Sequence, residues 1–258
     1  MRVTVCELPH EPVALRAAWA ALCEHTNRHA ADLVLLPEFA LLEPVWESDV
    51  FDQGRWEDVE MQSACRLHRL RELGARLVVG TRPVTSAGWR FHEGYLWSEA
   101  DGFTPLRRKY YLPDEPGSWE ALWFDPGDPA FPPFRADGLL FGLNICTELW
   151  ALDTYSAYAA QGVDLILSPR ATSASTTAKW LSVGTVAAVR SGAFSLSSNR
   201  VDATGAGGGV GWIISPEGEV LARTSPDRPF ATMDLDLAAA FAARGRYPRY
   251  VLSSARPS

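Results

Sequence analysis

The chain has 258 residues, 47% of them apolar and 21% charged, with a net charge of −7. That length suits one large domain with a sizeable core, predicted to run over residues 1–258. The acidic balance excludes a general nucleic-acid binder, because the compact basic cluster Arg107-Arg108-Lys109 is too short to form a basic face.

In chain order, "RVTV" reads as a strand. Pro12 suits the first turn of a helix, and Leu15, Ala18, Trp19, Leu22 and Cys23 share one helical face. "DLVLLPEF" is an apolar run of strand length that stops at Pro37. A second helix is predicted over roughly 56–73, with Met61, Ala64, Cys65 and Leu73 inward and Gly74 as its stop. "RLVVGT" is the next strand. "YLWSEADGFTPL" and "FPPFRADGLLFGLNI" each set Asp-Gly between apolar runs, the signature of a hairpin. A helix over about 153–161 closed by Gly162, the strand "VDLILSP" and a helix over about 176–190 follow. "AFSLSSNRV" and "GVGWIISPEGEVLART" supply three strands, and "ATMDLDL" with a short Ala-rich helix ends the pattern. "LVLLP", "LVVG" and "LILSP" are apolar on both faces and must be covered on both. The predicted class is α/β (α+β): a four-layer α-β-β-α sandwich of two mixed sheets face to face, with helices outside.

No apolar stretch reaches the about 18 residues of a membrane helix, and "MRVTVCELPHEP" lacks the pattern of a signal peptide. Cys6, Cys23, Cys65 and Cys146 are scattered, with no CxxC pair and no His at metal-ligand spacing. Reduced thiols in a cytoplasmic protein, with no metal and no cofactor, are the expectation. "FGLNICTELW" nevertheless ends an apolar strand on Cys146, and a nucleophilic thiol needs a base and an oxyanion partner. His25, His29 and His68 fall on predicted helices, and none of the five histidines sits at a strand end. Two other strand ends carry ionisable residues: Glu38 after "LVLLP", and Lys109 after "TPLRR". A carboxylate at an apolar strand end suits a general base, and a lysine beside it stabilises thiolate and oxyanion. Glu, Lys and Cys form an acyl-transfer set that needs neither histidine nor metal.

"LVLLPEF", "RRKYYLP" and "GLNICTELW" resemble, in order and spacing, the Glu, Lys and Cys motifs of the nitrilase superfamily of carbon–nitrogen hydrolases. "SWEALWFDPGD" resembles the segment carrying the family's fourth functional residue, which maps onto Glu120 in preference to Glu115. The resemblance extends through "LILSPRATSASTTAKW", "AAVRSGAFSLSSNR", "GWIISPEGEVLA" and "DLDLAAAFAARGRYP". It implies catalysis by Glu38, Lys109, Cys146 and Glu120, with the Thr147 N–H in the oxyanion site. Tyr110, Trp150 and Arg170 are candidate substrate contacts, and Tyr111, Trp119 and Trp123 further candidates for an aromatic pocket wall. The implied activity is an amidase working on a small amide-like molecule through a thioester. An N-carbamoyl hydrolase is the alternative, ahead of a nitrilase, an acyltransferase or a silent binding protein. A homodimer or larger homo-oligomer is implied, with Tyr155 and Tyr158 of the 153–161 helix at its interface. Departures from the family pattern are Glu148 where Asp is common, Tyr111 where His is frequent, and Ala193 where a glutamate is common.

Overall fold

A computed structural model describes residues 1–253. Its centre is a set of short parallel strands whose alternate side chains face two different cores. β1 (Arg2–Leu8), β2 (Leu33–Leu35) and the start of β3 (Leu77–Ser86) run parallel, with Val3, Leu33 and Leu77 in register. β7 (Leu139–Leu143), β8 (Leu165–Arg170) and β9 (Phe194–Arg200) form a second parallel set. The two sets join where Glu7 and Leu8 of β1 pair with Asn199 and Arg200 of β9. Leu33, Leu35, Leu77 and Val79 pack with Phe141, Leu143, Leu165 and Leu167 in one shared core. Their neighbours Val34, Leu36 and Val78 turn the other way, onto Leu15, Trp19 and Leu22 of α1 (Pro12–His29). In the second set Ile166 meets Tyr155 and Tyr158 of α4 (Asp153–Gln161) and Ala187 of α5 (Thr177–Ser191). The period of two along each strand therefore builds one inner and two outer apolar layers. Each fully buried Leu, Val or Ile contributes about 1.5–3 kcal/mol relative to exposure.

Antiparallel strands widen both sets. β4 (Trp89–Ser98) and β5 (Gly102–Arg108) extend the first beyond β3, and β6 (Phe134–Ala136) extends the second beyond β7. β10 (Trp212–Ile214) pairs with β9 and with β11 (Val220–Arg223), while β12 (Phe230–Asp234) pairs with β1. The result is a mixed α/β fold with both Asp-Gly hairpins where the sequence places them. No helix among the described residues is long and apolar enough to cross a membrane.

Local chemistry fixes most boundaries. At the start of α1 the Glu11 carboxylate accepts from the Val13 and Ala14 N–H groups at 3.0 and 2.8 Å, satisfying donors that have no partner within the helix. α4 ends at Gly162 in the left-handed conformation. Three expectations are corrected. The second helix, α2 (Gln53–Arg66), turns Trp56, Val59 and Ser63 inward and leaves Met61, Ala64 and Cys65 exposed. The large Trp56 ring sets that face, and the chain tightens into a 3₁₀ turn over Leu67–Leu73. Tyr155 and Tyr158 are fully buried in their own chain, the former donating to the Leu149 carbonyl, so neither is free for an interface. β3 and β4 form a long hairpin about Ala87-Gly88, which brings in a strand from Trp89 onward that the sequence reading did not assign. α6 (Ala238–Arg244) is the Ala-rich helix; a further short helix, α7 (Arg249–Ser253), follows it.

Candidate active site

The carboxyl ends of the parallel strands point the same way, and ionisable side chains collect beyond them. After β2 the chain turns sharply at Phe39, whose φ of 51° lies in the left-handed region. Three bonds hold this strained turn. The Glu38 N–H donates to the Arg170 carbonyl at 3.2 Å, Phe39 N–H to Thr81 Oγ1 at 2.9 Å, and Arg200 to the Phe39 carbonyl at 2.9 Å. The Glu38 side chain is thereby aimed inward and is 1% exposed.

Lys109 follows β5 directly, and its N–H donates to the His92 carbonyl of β4 at 2.8 Å. Its Nζ lies fully buried, 2.8 Å from Glu38 Oε1 and 2.7 Å from the Glu120 carboxylate. Glu120 begins a single helical turn, α3 (Glu120–Trp123), and is itself buried, whereas Glu115 is exposed. Burial works against the lysine's charge, but Glu120 and then Glu38 outweigh it and hold its pKa above the ordinary range. Burial raises the Glu120 pKa, with Lys109 opposing. An ammonium between two carboxylates is the arrangement that keeps this buried group charged.

Cys146 also sits in the left-handed region, at φ 48°, where β7 turns into a 3₁₀ segment over Cys146–Trp150. For a residue with a side chain this is strained, and such strain gathers at functional sites. Burial, then the charge of Glu38, push the thiol pKa up, while Lys109 and the Ala171 N–H favour the thiolate. A free thiolate is thus disfavoured until a base accepts its proton. Thr147 follows at the next position of the same turn.

Glu148, registered from sequence only as a departure, ties this turn to the lysine loop. Its carboxylate accepts from the Ile145 N–H at 3.0 Å and the Tyr110 N–H at 2.7 Å, and pairs with Arg107. One buried side chain therefore holds the residue before the thiol and the residue after the ammonium.

The structure brings Glu38, Lys109, Glu120 and Cys146 together; the aromatic candidates are scattered. Trp123 is core, donating to the Ser48 carbonyl at 2.8 Å. Trp150 is 44% exposed and meets Trp180 edge-on at 5.6 Å. Tyr110 contributes its backbone to Glu148, and its ring meets Tyr111 at 5.0 Å. Trp119 is half-buried beside the Phe39–Trp46 cluster. Arg170 is buried and bonded to Ser197 Oγ, Thr172 Oγ1 and the Val210 carbonyl, each at 2.7 Å. These partners engage all three guanidinium nitrogens, with Cys146 and Glu38 among the neighbouring charges. Phe39, Trp46 and Phe124, not singled out from sequence, surround His92. A small cavity of about 70 Å³, lined by Trp46, Gly117, Ala171 and Arg200 among others, adjoins the thiol through Ala171. A larger groove beside β11 and β12 is lined by His25, His29, Arg223 and Arg228, with no carboxylate among its lining residues.

Comparisons with known proteins show the family and the fold. The carbon–nitrogen hydrolase family model matches residues 2–244. An N-carbamoylputrescine amidase of Arabidopsis thaliana is 26% identical over 165 residues, covering 60% of this chain and 52% of that protein. Its counterpart in Oryza sativa subsp. japonica is 35% identical over 74 residues, covering 28% and 25% respectively. The chain thus matches about half the length, or less, of these curated relatives. Among solved structures, a carbon–nitrogen hydrolase from Helicobacter pylori G27 superposes with a TM-score of 0.83 at 18% identity, covering 99% of this chain and 95% of that one. An amidase from Nesterenkonia sp. AN1 gives 0.78 at 20% identity, covering 98% and 96%. That structure carries the acetamide moiety of fluoroacetamide added covalently at its active-site cysteine.

Proposed function

The chain belongs to the carbon–nitrogen hydrolase family, and from that premise we propose that it is an amidase acting through Cys146 on a small amide-like substrate. The observation that carries the reading is Lys109 Nζ, buried within 2.8 Å of Glu38 and 2.7 Å of Glu120 beside the strained Cys146 turn. Glu38 takes the Cys146 proton as sulfur attacks the amide carbon, which avoids a free buried thiolate. Lys109 and the Thr147 N–H stabilise the oxyanion. The C–N bond breaks, the nitrogen leaves as ammonia with the proton from Glu38, and an acyl-thioester remains on Cys146. Glu38 then deprotonates a water that attacks the thioester, releasing the carboxylic acid and restoring the thiol. Glu120 holds Lys109 and orients substrate or water.

An N-carbamoyl amine is the second substrate class, favoured by the names of the curated relatives. The deciding experiment measures ammonia from simple amides, N-carbamoyl amines and nitriles, comparing wild type with Cys146→Ala. Ammonia from wild type that disappears in Cys146→Ala supports the thiol route, and the preferred class selects between amidase and carbamoylase. Turnover that persists in a folded Cys146→Ala protein rejects it.

The same reading includes one domain over the chain, with the three apolar layers arranged as a four-layer α-β-β-α sandwich. It includes a cytoplasmic setting, supported by four free cysteines, and a homodimer or larger homo-oligomer. Exposed Trp150 and Leu152 beside α4 support association through that face.

A further inference from the structure

His92 is fully buried in the middle of β4, and neither ring nitrogen has a hydrogen-bond partner among the described residues. Such an unmet need is costly and rare away from functional sites. Nδ1 lies 3.6 Å from Glu38 Oε1 and 3.8 Å from a Glu120 oxygen, slightly beyond hydrogen-bond length from both. Phe39, Trp46 and Phe124 wall the ring at centroid distances of 4.8, 5.9 and 5.1 Å. Burial pulls its pKa down to about 3, so the ring is neutral and has one N–H to give. Ionised carboxylates only accept, which draws that proton to Nδ1.

We infer that His92 is a positioning residue of the proposed hydrolase site, its Nδ1–H shared between Glu38 and Glu120 and tightening onto them when substrate closes the site. The inference rests on the thiol reading above and adds a donor to it. The Lys109 ammonium shares Glu38 Oε1 with His92 Nδ1, while Glu120 Oε2, the other oxygen facing Nδ1, has no hydrogen-bond partner among the described residues. A donor beside the Glu38 carboxylate favours its ionised form, the form that accepts the thiol proton. The other charges facing the pair are Lys109 after β5, the Cys146 thiol after β7, Arg170 at the end of β8 and Arg200 at the end of β9. The two arginines are bound to neighbouring hydroxyls and carbonyls, which leaves His92 as the uncommitted donor among these groups. Glu38, His92 and Glu120 also have the spacing of a cation site, but the ammonium between the carboxylates opposes a second positive charge.

The test is the rate of Cys146 alkylation by iodoacetamide across pH, followed by mass spectrometry in wild type, His92→Phe and His92→Asn. His92→Phe is expected to move the acid limb up by about one pH unit and to slow alkylation about tenfold on that limb. His92→Asn, which returns an N–H near the Nδ1 position, restores most of the shift. If His92→Phe does not fold, as judged by circular dichroism, His92→Leu makes the same comparison with His92→Asn. Coincident profiles for wild type and the donor-free variant overturn the role of His92 while leaving the thiol reading intact. A wild-type Cys146 inert to iodoacetamide overturns both.

Discussion

Two clusters of buried polar side chains meet at the carboxyl ends of the strands, and they differ in how completely they are bonded. On β8 and β9, Arg170 has three partners and Arg200 donates to the Phe39 and Leu42 carbonyls. Asn199 accepts from the Thr172 N–H and donates to the Thr172 and Gly209 carbonyls. Glu7 accepts from Val210 N–H and Thr224 Oγ1. Across the seam, Glu38 Oε2 and both nitrogens of His92 are without hydrogen-bond partners among the described residues, and the Cys146 thiol is held in a strained turn. Equal burial therefore conceals two roles. A satisfied network fixes the loops, while an unsatisfied one retains the capacity to bind and to move protons.

Exchanging one cation from each cluster breaks this comparison most directly. Lys109→Met removes the proposed oxyanion partner and leaves two carboxylates facing one another, so kcat/KM should fall about a thousandfold or more. The measurement is ammonia release on the best substrate of the panel, with folding confirmed independently. Arg170→Met should act on stability, lowering it by about 3 kcal/mol in urea melts, because Ser197, Thr172 and Val210 lose a buried charged donor. Activity per folded Arg170→Met molecule should stay within about tenfold of wild type. Equal catalytic losses in the two variants would remove the distinction.

The sequence made the elements with one clear physical signature legible. Apolar runs closed by Pro37, Asp-Gly hairpins and the glycine stop at 162 all coincide with observed boundaries. Glu38, Lys109 and Cys146 were visible because each ends a strand, two of them apolar, and Glu120 because a family pattern surrounds it. His92 was hidden because the hairpin strand was read from Tyr95 onward, although Trp89-Arg90-Phe91-His92 alternates apolar and polar residues ahead of it. The Ala87-Gly88 turn, with φ of 53° and 83°, was the available local signal for the hairpin. Arg170 looked like a ligand contact because its strand position is right, but the partners that occupy it lie 27 and 40 residues away. The inward face of α2 was misassigned because several apolar residues compete there and only packing against Trp56 decides among them.

Glu148 sharpens the comparison further, since it is fully bonded like the scaffold yet borders the thiol. Its two oxygens serve the Ile145 and Tyr110 N–H groups and the Arg107 guanidinium, so it links the Cys146 turn to the Lys109 loop. Glu148→Gln keeps the shape but replaces one acceptor with a donor, which faces either a backbone N–H or Arg107. The expected result is a stability loss of about 1–3 kcal/mol together with an approximately tenfold fall in kcat and little change in KM. Glu148→Asp keeps the charge and shortens the reach by one methylene, so it should recover stability better than turnover. Arg107→Met combined with Glu148→Gln should cost less than the sum of the two single changes, because both break the same buried pair. Wild-type turnover in Glu148→Gln would place Glu148 with Arg170 as scaffold alone, and strict additivity in the double variant would show that the Arg107 pair does not hold it. A selective loss of kcat would instead show that this carboxylate sets the spacing between thiol and ammonium.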